Sequence, residues 1–464
     1  MKFSYLPYLI AFGIFLNAGA QEKSFYYNVE FNAGLSANDS LPFWMTANNF
    51  GKVPNSNYAL ATATFGKNFN ETKNFSIAFK AAVTGAIANE NNALINELYA
   101  SVRSKKFRLD IGSKNDEIVF KGLSSSNGNI TKSTNARAIP GYTLSTLGFI
   151  ELPFAKKWLT FKARYGDYLL NDPRYVDNAR LHAKSLFLKA QLNPTLDVVA
   201  GLNHYAQWAG TSPTGEKQPA GFKNYLKMVV ASEGGSDALL TDQMNVLGNQ
   251  LGSYLLQLNH QGTNTNWSLY WSHPFEDRSG MDLINGPDAL YGFFIDLKKP
   301  KNILTHVLFE YTHTKHMSGS TPRNEGEGYL GMDNYFNNGV YKSGWTYFGN
   351  TLGSPYFTAE TPDTQGVTNG VVKGDNRFTA VNMGFKGYLN KFQYKTMVSH
   401  VTYYGWFNDL YTPKHTQFSG YFEVVLPKIK RLPFQINIGT SFDISNYTSN
   451  NVGGFISLSK KGLF

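Results

Sequence analysis

The sequence predicts an all-β chain that closes into a transmembrane antiparallel β-barrel of about 18 strands, with long extracellular loops and short periplasmic turns. Three observations predict it. The first is alternation. In residues 431–445, Phe434, Ile436, Ile438, Thr440, Phe442 and Ile444 fall on one face of an extended chain. Gln435, Asn437, Gly439, Ser441 and Asp443 fall on the other, so one side is apolar and one polar. The second is connectivity: short turns join pairs of such segments, and longer, variable stretches join the pairs. The third is an aromatic at the same end of several strands. Phe75, Phe107, Trp267, Phe392 and Phe434 each follow a short turn, in phase with the apolar face of their own strand. A ring of aromatics at one height suits a membrane interface, where amphipathic rings sit among the head groups.

Composition agrees. The 464 residues are only 16% charged but 15% aromatic, with 28 Tyr, 35 Phe and 43 Gly, which favours strands and turns over helices. After Lys2 an apolar run from Tyr5 to Leu16 meets the small-residue stretch Ala18-Gly19-Ala20. That reads as a cleaved signal peptide over 1–20, leaving 21–464 as the barrel. No later stretch is long and apolar enough for a transmembrane helix. The chain holds no Cys, which excludes an acylated lipoprotein, a disulfide scaffold and thiolate metal sites. Its formal net charge of +10 is scattered along the chain. That excess suits anionic lipid head groups or an acidic polysaccharide and, in a secreted chain, no nucleic acid.

Taken in order, strands are expected at 25–35, 58–68, 74–86, 96–103, 107–113, 145–154, 158–168, 184–192 and 196–205. They continue at 251–261, 267–273, 290–297, 303–316, 377–388, 392–401, 417–427, 432–444 and 452–464. The long connections are 36–57, 114–144, 169–183, 206–250, 274–289, 317–376 and 402–416. The two longest, 206–250 and 317–376, are expected to fold partly into the barrel mouth. Trp158 departs from the aromatic rule, sharing a phase with Thr160 and Lys162. The polar phase of 303–315 carries His306, Glu310 and Thr312 beside Leu304 and Leu308, and this suits a wet lumen. The last segment, GGFISLSKKGLF, puts Ile456, Leu458, Gly462 and Phe464 in one phase. An aromatic closing the last strand resembles the recognition signal of outer-membrane barrels, which makes the barrel-assembly machinery an expected partner.

No HExxH, GxSxG, P-loop or GxGxxG pattern is present, and nothing calls for a metal or cofactor. The nine His residues are scattered. The densest polar and aromatic stretch lies between 136 and 208. Arg164, Asp167, Tyr168, Asp172, Arg174, Arg180, His182, Asn203, His204, Tyr205, Gln207 and Trp208 crowd there, near the loop ends of their strands. Aromatic faces stack on sugar rings, and Asp, Asn, Arg and Gln pair with hydroxyls and carboxylates, so the set suits glycan contact. The same residues also suit pairing with one another to fill a lumen. Tyr205, Trp208 and Arg174 are the best placed for a ligand, at strand exits or in a loop.

In this stretch PGYTLSTLGFIELPF, WLTFKARYGDY, DPRYV, ARLHAKSLFL and GLNHYAQW resemble the capsule assembly protein Wzi family, in the form common in Bacteroidetes-type bacteria. The resemblance implies an 18-stranded outer-membrane barrel whose outer loops close the pore. It implies a non-enzymatic surface lectin that anchors capsular polysaccharide or exopolysaccharide, seated among outer-membrane lipids and lipopolysaccharide. The helical periplasmic decoration known in that family has little room between Gln21 and the first strand. A substrate-specific porin or a barrel hydrolase would share every strand argument.

Overall fold

A computed structural model describes residues 24–155, 157–233, 235, 246–318, 333–358, 375–406, 409–429 and 432–464. The expected signal peptide and parts of the expected loops 206–250 and 317–376 lie outside these residues. The first half of the chain forms β1 (Phe25–Ser36), β2 (Tyr58–Lys67), β3 (Phe75–Ile87), β4 (Asn92–Ser104), β5 (Phe107–Ser113), β6 (Pro140–Thr146), β7 (Ile150–Glu151), β8 (Leu159–Leu169), β9 (Arg180–Asn193) and β10 (Leu196–Trp208). The second half forms β11 (Asn249–Gln261), β12 (Asn266–Phe275), β13 (Ala289–Asp296), β14 (His306–His313), the short pair β15 (Thr346–Tyr347) and β16 (Asn350–Thr351), then β17 (Phe378–Leu389), β18 (Phe392–Trp406), β19 (Asp409–Val425), β20 (Gln435–Ser445) and β21 (Asn451–Leu463). Among the described residues, three short α-helices lie between strands: α1 (Phe43–Thr46), α2 (Phe222–Val229) and α3 (Arg278–Met281).

Each barrel strand pairs antiparallel with its sequence neighbours, and β1 pairs with β21 from Tyr26↔Leu463 to Ser36↔Gly453, which closes the sheet. Because β6 and β7 both pair with β8, they make one interrupted stave, and the closed barrel has 18. Closure leaves no unpaired edge, as a hydrocarbon surrounding demands. The apolar face of β20 points out: Ile438, Phe442 and Ile444 are 46%, 36% and 53% exposed, while Ser441 and Asp443 are buried within. Phe75 and Phe107 are likewise exposed at the turn end, where Phe464 packs against Tyr27 with ring centroids 5.3 Å apart.

Many inward and outward rings lie across a glycine of the next strand, which fills the gap a missing side chain leaves. Tyr270 crosses Gly292, Phe455 crosses Gly439, and Tyr27 crosses Gly462. High Gly and aromatic content are thus two halves of one packing device.

Three expectations are corrected. The sixth strand is not 145–154: it starts at Pro140 and breaks after Thr146, where Gly148 takes a positive φ of 75°, outside the extended region. The stretch 402–416 is not a long loop, because β18 and β19 run on through Trp406 and from Asp409, with a register shift between Tyr403 and Gly405. The lumen is not wet throughout. Its loop-end half is filled by a dry core that includes Trp44, Leu123, Ile130, Trp345, Tyr356 and Phe378.

Three segments make this plug: 43–50 with α1, 118–137, and 333–357. They are knitted by backbone hydrogen bonds, with Phe50 N on Thr134 O at 2.7 Å, Ser133 N on Leu352 O at 2.8 Å and Ser354 N on Ile130 O at 2.9 Å. Trp345 is fully buried and donates from Nε1 to Thr131 O at 2.7 Å. Side chains then bolt the plug to the wall. Glu310 on β14 accepts from Ser124 Oγ (2.5 Å), Ser125 N and Oγ (both 2.7 Å), Tyr270 OH (2.6 Å) and Asn382 Nδ2 (3.1 Å). A buried carboxylate is stable when its lone pairs are all occupied in this way.

Candidate functional site

The period of two splits the twelve candidate residues across the barrel wall. Register fixes the split, because residues directly opposite in an antiparallel pair share a face. Arg164, Tyr168, Asn203, Tyr205 and Gln207 point inward: Gln207 Nε2 donates to Gly344 O of the plug at 3.1 Å, and Tyr205 packs on Trp345 at 5.3 Å. Asp167, Arg180, His182, His204 and Trp208 lie in the opposite phase, shared with Leu186 and Tyr142, which are 52% and 43% exposed on the outer wall. Asp172 and Arg174 sit in the loop after β8, both buried, 3.1 Å apart. The structure therefore does not bring the twelve into one site. Tyr205, Trp208 and Arg174, the best placed by sequence, are 8%, 4% and 5% exposed.

Arg164, Tyr168, Asn203 and Tyr205 of the inward group border a cavity of about 300 Å³ beneath the plug, toward the turn end. Asp116 joins two cations there, Arg164 Nη1 at 2.7 Å and Lys132 Nζ at 3.0 Å. Burial alone would raise the Asp116 carboxyl, but the charges of Lys132 and Arg164 outweigh it and hold the group well below the usual carboxylate range. Arg164 Nη2 also donates to Tyr168 OH at 2.8 Å. Asp110 accepts from Lys114 Nζ at 2.7 Å and forms an ion pair with Arg108 Nε at 3.0 Å. Arg137 stacks on Phe348 at 4.3 Å and keeps its Nε buried without a partner among the described residues. The cavity is basic overall, with Arg108, Lys114, Lys132, Arg137, Lys162 and Arg164 against Asp110, Asp116 and Glu117.

The outward group is covered by α2. Asp167 accepts from Tyr142 OH (2.6 Å) and Tyr225 OH (2.9 Å), and it pairs with His182 Nδ1 at 2.9 Å. Arg180 lies over the Trp208 ring at 5.4 Å, and Trp208 packs on Tyr225 at 5.4 Å. Gln250 Nε2 reaches the carbonyls of Met228 (3.2 Å) and Leu247 (2.8 Å), and the Lys184 amine donates to Val229 O. These polar groups face the lipid side of the wall and are sealed by a helix. The connection 206–250 was expected in the mouth; its described helix instead lies outside. An alternation of Tyr225, Met228 and Val229 with Phe222, Leu226 and Val230 was the sequence signal for it.

At the loop end the plug's roof faces out. Asp172 accepts from Phe348 N at 3.0 Å and Tyr347 OH donates to Asn171 Oδ1 at 2.5 Å, so loop 170–179 clamps the segment 342–348. Burial raises the Asp172 carboxyl, and the Arg174 charge offsets this only in part. The clamp leaves Tyr175 half-buried, with Lys342 Nζ 4.7 Å over its ring. On the β18–β19 hairpin, His415 is sandwiched between Tyr411 at 3.8 Å and Tyr447 at 4.5 Å. Sequence reasoning missed Lys342 and this stack, because only the folded loops bring the rings and cations together.

Comparison with known proteins adds the lineage. No curated protein sequence matches the chain. Among solved structures it is similar to the Escherichia coli protein Wzi, described as an outer membrane protein involved in group 1 capsule assembly and a carbohydrate-binding β-barrel. That likeness has a TM-score of 0.57 at 14% identity, over 93% of this chain and 83% of that one. Weaker likenesses are OccAB4 of Acinetobacter baumannii (TM-score 0.47, 7% identity, 96% and 99% of the two chains) and OccK1 of Pseudomonas aeruginosa (0.48, 8%, 95% and 99%). The model of the family described as "Capsule assembly protein Wzi" matches residues 40–381, well over half of the chain. By its strand pattern, its closed barrel and that match, this chain belongs to the capsule assembly protein Wzi family of the outer membrane.

Proposed function

We propose that this protein is a non-enzymatic outer-membrane lectin that holds capsular polysaccharide or exopolysaccharide at the cell surface through the roof of its plug. The observation that carries this reading is a barrel stoppered by packed aromatic residues, with lysine-on-tyrosine contact on its outer face. Tyr175 offers a ring for stacking on a sugar and Lys342 a charge for a sugar carboxylate. The Tyr411–His415–Tyr447 stack adds a rigid rim. A polymer would meet many such weak contacts, so retention would come from multivalency. Asp172 and Arg174 serve by holding Tyr175 and the segment 342–348 in place. Arg164, Tyr168 and Asn203 could meet only a glycan that enters the basic cavity from the periplasmic side. Export through a cleaved leader and insertion by the barrel-assembly machinery belong to the same reading, as does a seat among outer-membrane lipids.

The test is Tyr175→Ala with Lys342→Glu in the full chain. Both side chains are only partly buried and lie in loops outside the barrel strands, so the barrel should still assemble. Binding to an acidic capsular polysaccharide on a sensor surface should fall, with Lys342→Glu showing the larger loss at low salt. Unchanged binding in a double variant that keeps its barrel would sink the roof as the site.

A further inference from the structure

The outside of α2 is as informative as its inside. Tyr225 and Met228 face the barrel, while Phe222, Leu226 and Val230 point away and are 75%, 49% and 70% exposed. Their spacing of four puts the three on one stripe of the helix, and Lys223 and Lys227 lie along its edge. The stripe is continuous with the barrel's outer wall, where Leu144, Leu169 and Leu186 are each about half exposed on the strands that α2 covers. Beside it, Tyr254 OH donates to Met281 O at 3.4 Å, and Met281, Leu283 and Ile284 are each nearly half exposed. An exposed apolar patch of this kind on water would be a liability. Against the acyl chains that already meet the wall it is a match.

We propose that α2 is an interfacial anchor whose stripe Phe222, Leu226 and Val230 inserts among the acyl chains of the outer leaflet, with Lys223 and Lys227 on the phosphates of its anionic glycolipid. Polar groups that would otherwise break the lipid-facing wall, Asp167 and His182 above all, are thereby roofed by protein instead of exposed to hydrocarbon. The anchor also reaches the plug. The chain leading to α2 leaves β10 at Ala209, whose carbonyl accepts from Tyr341 OH of the plug at 3.2 Å. Lipid contact outside the barrel is thus tied by the twelve residues between Ala209 and Phe222 to the stopper inside it.

The chain has no Cys, so a single introduced one carries a unique probe. Leu226→Cys with a nitroxide, in the full protein reconstituted in bilayers containing lipopolysaccharide, should collide with dissolved oxygen in preference to a water-soluble nickel chelate. Thr214→Cys, in the exposed connection before α2, should show the reverse preference. Adding Lys223→Glu or Lys227→Glu should reduce the immobilised fraction of the probe at 226 by about fivefold per lysine in lipopolysaccharide bilayers, and little in phosphatidylcholine. A water-facing probe at 226 overturns the proposal. Spin–spin broadening at 226 that grows with the labelled fraction also overturns it, in favour of a second copy of this chain as the occupant. Equal effects of the lysine swaps in the two lipids overturn the phosphate contact.

Discussion

Glu310 shows how much one side chain can decide. Strand periodicity marks it as inward-facing and no more. In the fold it accepts five hydrogen bonds, three of them from Ser124 and Ser125 of the plug. Glu310→Ala should leave the barrel intact, since the change is confined to the lumen. It should strand donors that each cost about 1–3 kcal/mol when buried without a partner. Faster amide exchange across 118–130, with transient conductance in planar bilayers, is the expected result; exchange as slow as in the parent would mean the plug is held elsewhere. Asp333 adds a pH term. Burial, reinforced by Asp277, pushes its carboxyl up to about 7. A carboxyl raised on folding contributes stability that is full below its ordinary unfolded value and is lost as pH rises through the folded one. Protection of amides 333–337 should therefore fall from about pH 4 to about pH 7 and level off above that, after correction for intrinsic exchange. Protection that rises over that range would contradict the assignment.

Among the elements, the strands are held in register by rings laid on glycines. Gly292 is the sharpest case: a Cβ there would stand 1.9 Å from Cζ of Tyr270. That ring cannot step aside, because Phe120 stacks on it at 4.4 Å and its hydroxyl holds Glu310. Gly292→Ala should cost about 1–3 kcal/mol by overpacking, seen as a lower temperature for the heat-induced shift of the folded band on gels. In a Tyr270→Ala background the same change should cost far less, because the two sites are coupled. Additive costs would show that the ring is free to move. The helix α2 is the counter-example among elements, since its place depends on Asp167, Lys184 and Gln250 meeting it from three different strands.

As a whole molecule, the protein is a barrel with its outer half stoppered, its inner half open to a basic cavity, and its roof made of clamped loops. A stopper of this density, with Trp345 and Tyr335 fully buried, should pass no steady current. Bilayer recordings of the unaltered protein should stay at baseline. A stable open conductance would favour the transporter reading over the surface lectin.

The sequence by itself determined the sheet and its two faces. Alternation with a period of two, read against the need to satisfy every backbone group in hydrocarbon, leaves a closed barrel with its apolar phase outward, and β20 and β21 follow it residue by residue. It also located the stretch 136–208 that resembles the family. It did not divide that stretch. Asp167 and Tyr168 are neighbours in the chain, yet one meets α2 on the lipid side and the other meets Arg164 in the lumen. The tertiary structure alone decided where the loops go, because their partners lie far off in sequence: Ser124 finds Glu310 186 residues away, and Gln207 finds Gly344 137 away. Periodicity is a local signal carried by each strand's own backbone geometry, whereas a plug forms only where distant surfaces happen to be complementary, and no local pattern encodes that.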